Sequence, residues 1–163
     1  MRQLAFILCG CLWATSALAE GLKVAVTLKP LHSLTAGLLE GISTPQLIIR
    51  GGISPHRYAP RPSEVRALHG ADLVIWVGEM VEPGLAKTIQ ALGPDVRVVT
   101  LSQQSELNLL PARAAGSFSP DDEPSPGNDL GHGHDHEANL DPHFWLDPDR
   151  AKAAANVIVQ TLI

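Results

Sequence analysis

The most restrictive stretch of the chain is "ADLVIWVG", residues 71–78, where Leu73, Val74, Ile75, Trp76 and Val77 follow one another without a polar break. A strand with one wet face alternates apolar and polar residues, whereas an unbroken apolar run needs cover on both faces. That places the run inside a parallel sheet with helices packed above and below. Its surroundings agree. "LKVAVTL" (22–28) carries β-branched residues at alternate positions, "PQLIIR" (45–50) reads as another strand and "DVRVVTL" (95–101) as a fourth. Helical patterns separate them. "PLHSLTAGLLEG" opens with Pro30, which a first helical turn tolerates, closes at Gly41, and lines Leu31, Leu34 and Leu38 along one face. Pro62 opens a second helix through "SEVRALHG", and "EPGLAKTIQALG" (82–93) supplies a third. Strands alternating with helices predict right-handed βαβ units, hence an α/β fold with a parallel four-stranded sheet flanked by helices. Sites in such sheets form at the carboxyl ends of strands, which makes the loop "GGISPHRYAP" (51–60) a natural address.

The 163 residues suffice for about one domain with a real core. A formal charge of −5 and a pI near 5.7 exclude the basic surface that nucleic acid demands. At the N-terminus, Arg2 precedes an apolar stretch (4–13) and "TSALAE" follows. Ala17-Leu18-Ala19 has the small-x-small pattern read by signal peptidase, so cleavage is expected after Ala19. The stretch is too short to span a membrane, which takes ~20 apolar residues. "LCGC" (8–11) loosely resembles a lipoprotein processing site, but cutting there leaves too short an apolar region, and lipoprotein anchoring is not expected. Cleavage removes both cysteines, Cys9 and Cys11, so any metal must be held by His, Asp or Glu.

From about Gln103 to Asn139 the strand–helix pattern collapses. "SPDDEPSPGNDLGHGHDHEAN" (119–139) offers hardly anything apolar to bury and reads as a flexible loop. Order resumes at "LDPHFWLDPDRAKAAANVIVQTLI", with Asp147 as a helix cap and Pro148 in the first helical position. The last helical pattern stops at Ile163 without a cap, and the chain reads as cut short.

Four features could carry chemistry. "GEMVEPGLAKT" (78–88) lacks the Gly spacing and the adjacent Gly-Lys of a phosphate loop, and reads as a strand-to-helix turn. A zinc hydrolase is disfavoured: there is no H-E-x-x-H, and Glu64 and Asp141 as general bases have nothing to single them out. In "SPHRYAPRPSEV" and "DPHFWLDP", His56 and His143 each follow a proline, which presents the imidazole from a stiff turn. Phe144, Trp145 and Leu146 are expected to bury the second turn. On spacing alone, two ordinary loop histidines remain the plainer reading. The cluster His132, His134 and His136 sits on a glycine-bearing tract whose ordering costs ~1–2 kcal/mol of backbone entropy per residue. It suits a weak auxiliary metal collector that loses its ion as pH falls through ~6.5. His32 has no motif of its own, and His69 ends a helix.

Taken in order, "VAVTLKPLHSL", "GISPHRYAPRPSEVRALHGADLVIWVGEMVEPGL" and "DPHFWLDP", with a His-rich loop before the last, resemble the periplasmic zinc-binding solute-binding proteins of ABC transporters, the metal-binding cluster A-I or cluster 9 family. The resemblance reverses the reading of the two histidines. It implies two α/β lobes with the ion between them, His56 and His143 as the metal ligands of the first lobe, and a third histidine plus a carboxylate or water from the second. Many zinc-specific members carry an acidic residue just before the first ligand histidine, where this chain has Pro55. The segments then become a signal peptide (1–19), an α/β metal-binding lobe (20–102), a flexible acidic and His-rich loop (103–139), and a second ligand turn with the start of a helix (140–163). The implied function is capture of Zn2+ in the periplasm and delivery to an inner-membrane permease by a monomeric binder with no enzymatic reaction. Mn2+ is less expected, because it favours more oxygen ligands. The competing readings are a stand-alone zinc buffer or metallochaperone working through the loop histidines, a manganese-binding homologue, and a truncated remnant without a transport role.

Overall fold

Leu73–Trp76 is buried along its whole length and hydrogen-bonded on both sides. The computed structural model describes residues 21–112 and 140–162. The expected signal peptide and His132, His134 and His136 lie outside them. In chain order the elements are β1 (Val24–Val26), α1 (Lys29–Leu38), β2 (Gln46–Leu47), α2 (Pro62–His69), β3 (Leu73–Trp76), α3 (Ala86–Gln90), β4 (Arg97–Thr100) and α4 (Pro148–Leu162). The four strands form one parallel sheet in the order β2-β1-β3-β4. The chain therefore reverses its direction of growth between β1 and β3. Right-handed crossovers put α1 on one face and α2 and α3 on the other, and α4 packs on the α1 side.

Each strand is shorter than its apolar run. Beyond the regular ladder, Thr27 N–H still donates to Ile75 (3.1 Å), and Ile48 and Ile49 donate to Val26 (2.9 Å) and Thr27 (3.0 Å). Past Trp76 a side chain takes over part of the ladder: Val77 N–H donates to the Glu82 carboxylate at 2.8 Å, while the Val77 carbonyl still accepts from Ser102 N–H (2.9 Å). The helix expected over 82–93 shortens too. Pro83–Leu85 winds as a 3₁₀ turn, and the α-helical part begins only at Ala86.

The core lies on both faces of the sheet, with Val26 and Ile75 inside it, Leu31 from α1, Leu68 from α2, Leu85 before α3 and Ile158 from α4, all fully buried. Each large side chain so buried contributes about 1.5–3 kcal/mol. Asp147 caps α4 as expected, accepting from the amides of Asp149 (2.9 Å) and Arg150 (3.2 Å). Arg150 ties this cap to its own helix through Asp147 Oδ2 (2.7 Å) and to the carbonyl of Asn108 (2.9 Å). Residues 103–112, read from sequence as part of the polar loop, include Leu107, which is buried under α4. An antiparallel bridge between Pro111 and Leu140, and the Asp141 amide donating to Leu110 (2.7 Å), join the two ends of the described chain there.

Candidate metal site

His56 and His143 come from opposite edges of the sheet. The loop after β2 at one edge carries His56 on the 3₁₀ turn Pro55–Arg57. His143 stands at the start of the 3₁₀ turn Phe144–Leu146, reached through the segments that follow β4 at the other edge. Their rings nevertheless meet, with centroids 5.8 Å apart and planes inclined at 59°. Two imidazoles sharing one zinc ion at ~2.0–2.1 Å with a tetrahedral angle have centroids roughly 5 Å apart, so the observed pair is within about an ångström of a chelating geometry.

Local sequence explains both turns. Pro55 fixes the first position of its turn, and Tyr58 N–H closes it onto the Pro55 carbonyl (3.3 Å). Tyr58 is buried and anchors the turn to the core. Its hydroxyl lies beside Glu64 without a hydrogen bond of good geometry, and burial together with that carboxylate pushes the phenol well above its usual range. In the second turn Pro142 and Phe144 are buried, and Trp145 stands edge-on to His143 (5.2 Å) and to Phe144 (5.5 Å). The expectation that Leu146 also covers this turn is wrong. It is 77% exposed, because two positions along a three-residue-per-turn helix carry it away from the face of Phe144.

Asp141 organises His143. Its Oδ1 accepts from the His143 amide (3.0 Å) and lies 2.7 Å from His143 Nδ1. An ionised carboxylate there keeps the proton on Nδ1 and leaves the Nε2 lone pair to face an ion. Asp141 thus has a role other than the general base considered from sequence, and its D-x-H spacing is the signal for it. Glu64, the other candidate base, is occupied. Its Oε2 accepts from the Arg61 amide (2.6 Å) at the start of α2. Burial acts to raise its pKa, but the Tyr58 hydroxyl, that amide and the charges of Arg61 and Arg50 together hold it below the ordinary value.

His32 stands apart from the pair in its bonding, with Nε2 2.9 Å from the Pro45 carbonyl oxygen. His69 ends α2, as expected. Among the described residues, no group of three or more His, Cys, Asp or Glu side chains is arranged to hold a metal. The pair is at most half of a four-coordinate site.

Comparison with known proteins places the chain in a family. The family described as "Zinc-uptake complex component A periplasmic" matches residues 24–163. The high-affinity zinc uptake system protein ZnuA of Brucella abortus (strain 2308) is 33% identical over 181 residues, covering 91% of this chain and 50% of that protein. ZnuA of Yersinia pestis is 32% identical over 150 residues, covering 86% and 45%. Among solved structures, a zinc-bound deletion mutant of ZnuA superposes with a TM-score of 0.65 at 19% identity, covering 88% of this chain and 46% of that one. The Zn(II)-bound ZnuA-like domain of Streptococcus pneumoniae AdcA gives 0.61 at 22%, covering 87% and 43%; at these identities the likeness is one of fold. The chain spans about half the length of the curated relatives it matches. It belongs to the family of periplasmic component A proteins of zinc-uptake complexes.

Proposed function

We propose that this chain captures Zn2+ in the periplasm through His56 and His143 and passes it to an ABC-type permease of the inner membrane. The observation that carries the reading is the meeting of two proline-anchored imidazoles, one already oriented by a carboxylate, over the carboxyl end of the sheet. Family membership and the printed names of the ZnuA relatives support zinc uptake as the setting. Imidazole ligands suit zinc better than manganese. Two ligands fall short of the four zinc takes, so the remaining donors belong outside the described residues, and the family resemblance points to a second lobe. An ion gripped from two lobes fixes their relative position, a shape that a permease can read. The ion is cargo in this reading, and the chain performs no reaction on it.

Zinc titration against a chromophoric chelator tests the assignment on the full chain, on His56→Ala, on His143→Ala and on a deletion of residues 131–137. Loss of the stronger binding event in both single variants, with the deletion close to the parent, is the expected result. The opposite pattern identifies a zinc buffer or metallochaperone acting through His132, His134 and His136. Mn2+ displacing zinc at equal concentration would identify a manganese carrier.

A further inference from the structure

The segment "GEMVEPGLAKT" has no phosphate-loop spacing, yet it contains a fully buried carboxylate. Glu82 is 0% exposed. Its Oε2 accepts from Val77 N–H at 2.8 Å, across the tight turn that Val81 and Glu82 close onto the Gly78 carbonyl (3.1 and 3.0 Å). Its Oε1 has no hydrogen-bond partner of good geometry. A charged side chain is expensive to bury, and nothing in packing alone calls for one at this position. What the carboxylate does is fasten the turn that follows it to the end of the central strand β3. Leu85 N–H then donates to the Glu82 carbonyl (3.0 Å), which completes the 3₁₀ turn Pro83–Leu85.

That turn bears on the metal pair. Gly84 lies so close to the loop after β2 that a methyl group on it would fall 1.7 Å from the Tyr58 carbonyl oxygen and 2.9 Å from the Tyr58 carbonyl carbon. Both neighbours are backbone, so a side chain there must displace one of the two turns. Tyr58 in turn closes the turn Pro55–Arg57 that presents His56. The line of contact runs from Val77 through the Glu82 carboxylate and Gly84 to Tyr58 and His56. We infer that Glu82 and Gly84 are positioning residues for His56, with the buried carboxylate setting the height of the turn on which the His56 loop rests. The inference takes His56 as a ligand, as proposed above, and adds what holds it in place.

The test compares zinc affinity, the visible spectrum of Co2+ substituted for zinc, and the thermal midpoint in full-chain variants. Glu82→Gln keeps the side-chain length and an oxygen for Val77 N–H, and retains the parent affinity to within about twofold with an unchanged Co2+ spectrum. Glu82→Asp keeps the charge but withdraws the oxygen by one methylene, and Gly84→Ala pushes the two turns apart. Each lowers zinc affinity about tenfold and alters the Co2+ spectrum, as expected for a ligand displaced by about an ångström. A merely structural role would lower the thermal midpoint in these variants and leave both metal readouts at parent values; that result overturns the inference. His56→Ala serves as the reference. If it binds zinc like the parent, the metal assignment itself has failed; if it loses zinc while Glu82→Asp and Gly84→Ala do not, only the positioning role has failed. For a variant that does not fold, the imidazole resonances of His56 in the other, against His69 at the far end of α2, decide the question. Shifts confined to His56 support the inference, and unmoved resonances refute it.

Discussion

Asp141 Oδ1 holds His143 Nδ1 at 2.7 Å, so under the proposed metal site its removal should be felt in metal binding more than in folding. Asp141→Ala is expected to weaken zinc binding by about tenfold to a hundredfold. Its carboxylate is half exposed, so the thermal midpoint should stay close to the parent. Nitrogen NMR of His143 should show the tautomer preference lost, and a parent-like tautomer in the variant would sink the argument. Glu82 makes a prediction of opposite kind. Burial raises its pKa from the ordinary 4.5 to about 6. The relative stability of the folded chain is then fully present below about pH 4.5 and lost as pH rises through 6, where the buried group must ionise. Glu82→Gln removes this loss, so it should be more stable than the parent by up to about 2 kcal/mol at pH 8 and by nearly nothing at pH 4.5. Urea unfolding at the two pH values measures the difference, and equal gains at both would contradict it. The family resemblance, not the proline-flanked spacing, singled out His56 and His143, whose ring centroids lie 5.8 Å apart. Tyr58 and Gly84 escaped because their roles rest on contacts that no local pattern encodes, whereas Asp141 carries a local signal in its D-x-H spacing.

At the scale of elements, the turn out of β3 is the most constrained piece of the fold. Gly78 has a positive φ of 137°, and a methyl group on it would meet Ser102 Oγ at 2.4 Å and Thr100 Cγ2 at 3.2 Å. The Ser102 backbone is held by its amide, which donates to the Val77 carbonyl (2.9 Å), so relief there is limited to rotation of the hydroxyl. Gly78→Ala should therefore cost roughly 1–3 kcal/mol. The double variant with Ser102→Ala recovers the steric share and leaves the conformational one, which denaturant midpoints in a double-mutant cycle separate. Full additivity of the two changes would show that the Ser102 contact is immaterial. The helices were legible wherever a proline opened them, and the Asp147 cap was legible from Asp-Pro alone. The strands were legible as apolar runs but not in length. A side chain, Glu82, takes over part of the ladder at the end of β3, and apolar periodicity does not register a carboxylate acting as a backbone partner.

On the scale of the whole molecule, the parallel sheet was legible from alternating strands and helices, but the order β2-β1-β3-β4 and the meeting of His56 and His143 from its two edges were not. Both depend on which loops cross the carboxyl end, and on how far they reach. The same long-range geometry bears on the stretch between Ala112 and Leu140. The bridge from Pro111 to Leu140 and the bond from Asp141 to Leu110 (2.7 Å) bring the flanks of that stretch together within the fold. With these flanks already held together, replacing residues 113–139 by six Gly and Ser residues should leave the unfolding midpoint at or above the parent value. The replacement removes His132, His134 and His136 together with most of the acidic tract, while His143 keeps its place through Asp141, Pro142 and Phe144. Zinc titration of this variant is expected to lose a weak binding class and to retain the stronger one. Loss of the stronger class, in a chain whose unfolding midpoint has not fallen, would move the capturing ligands from the proline-anchored pair into the His-rich tract.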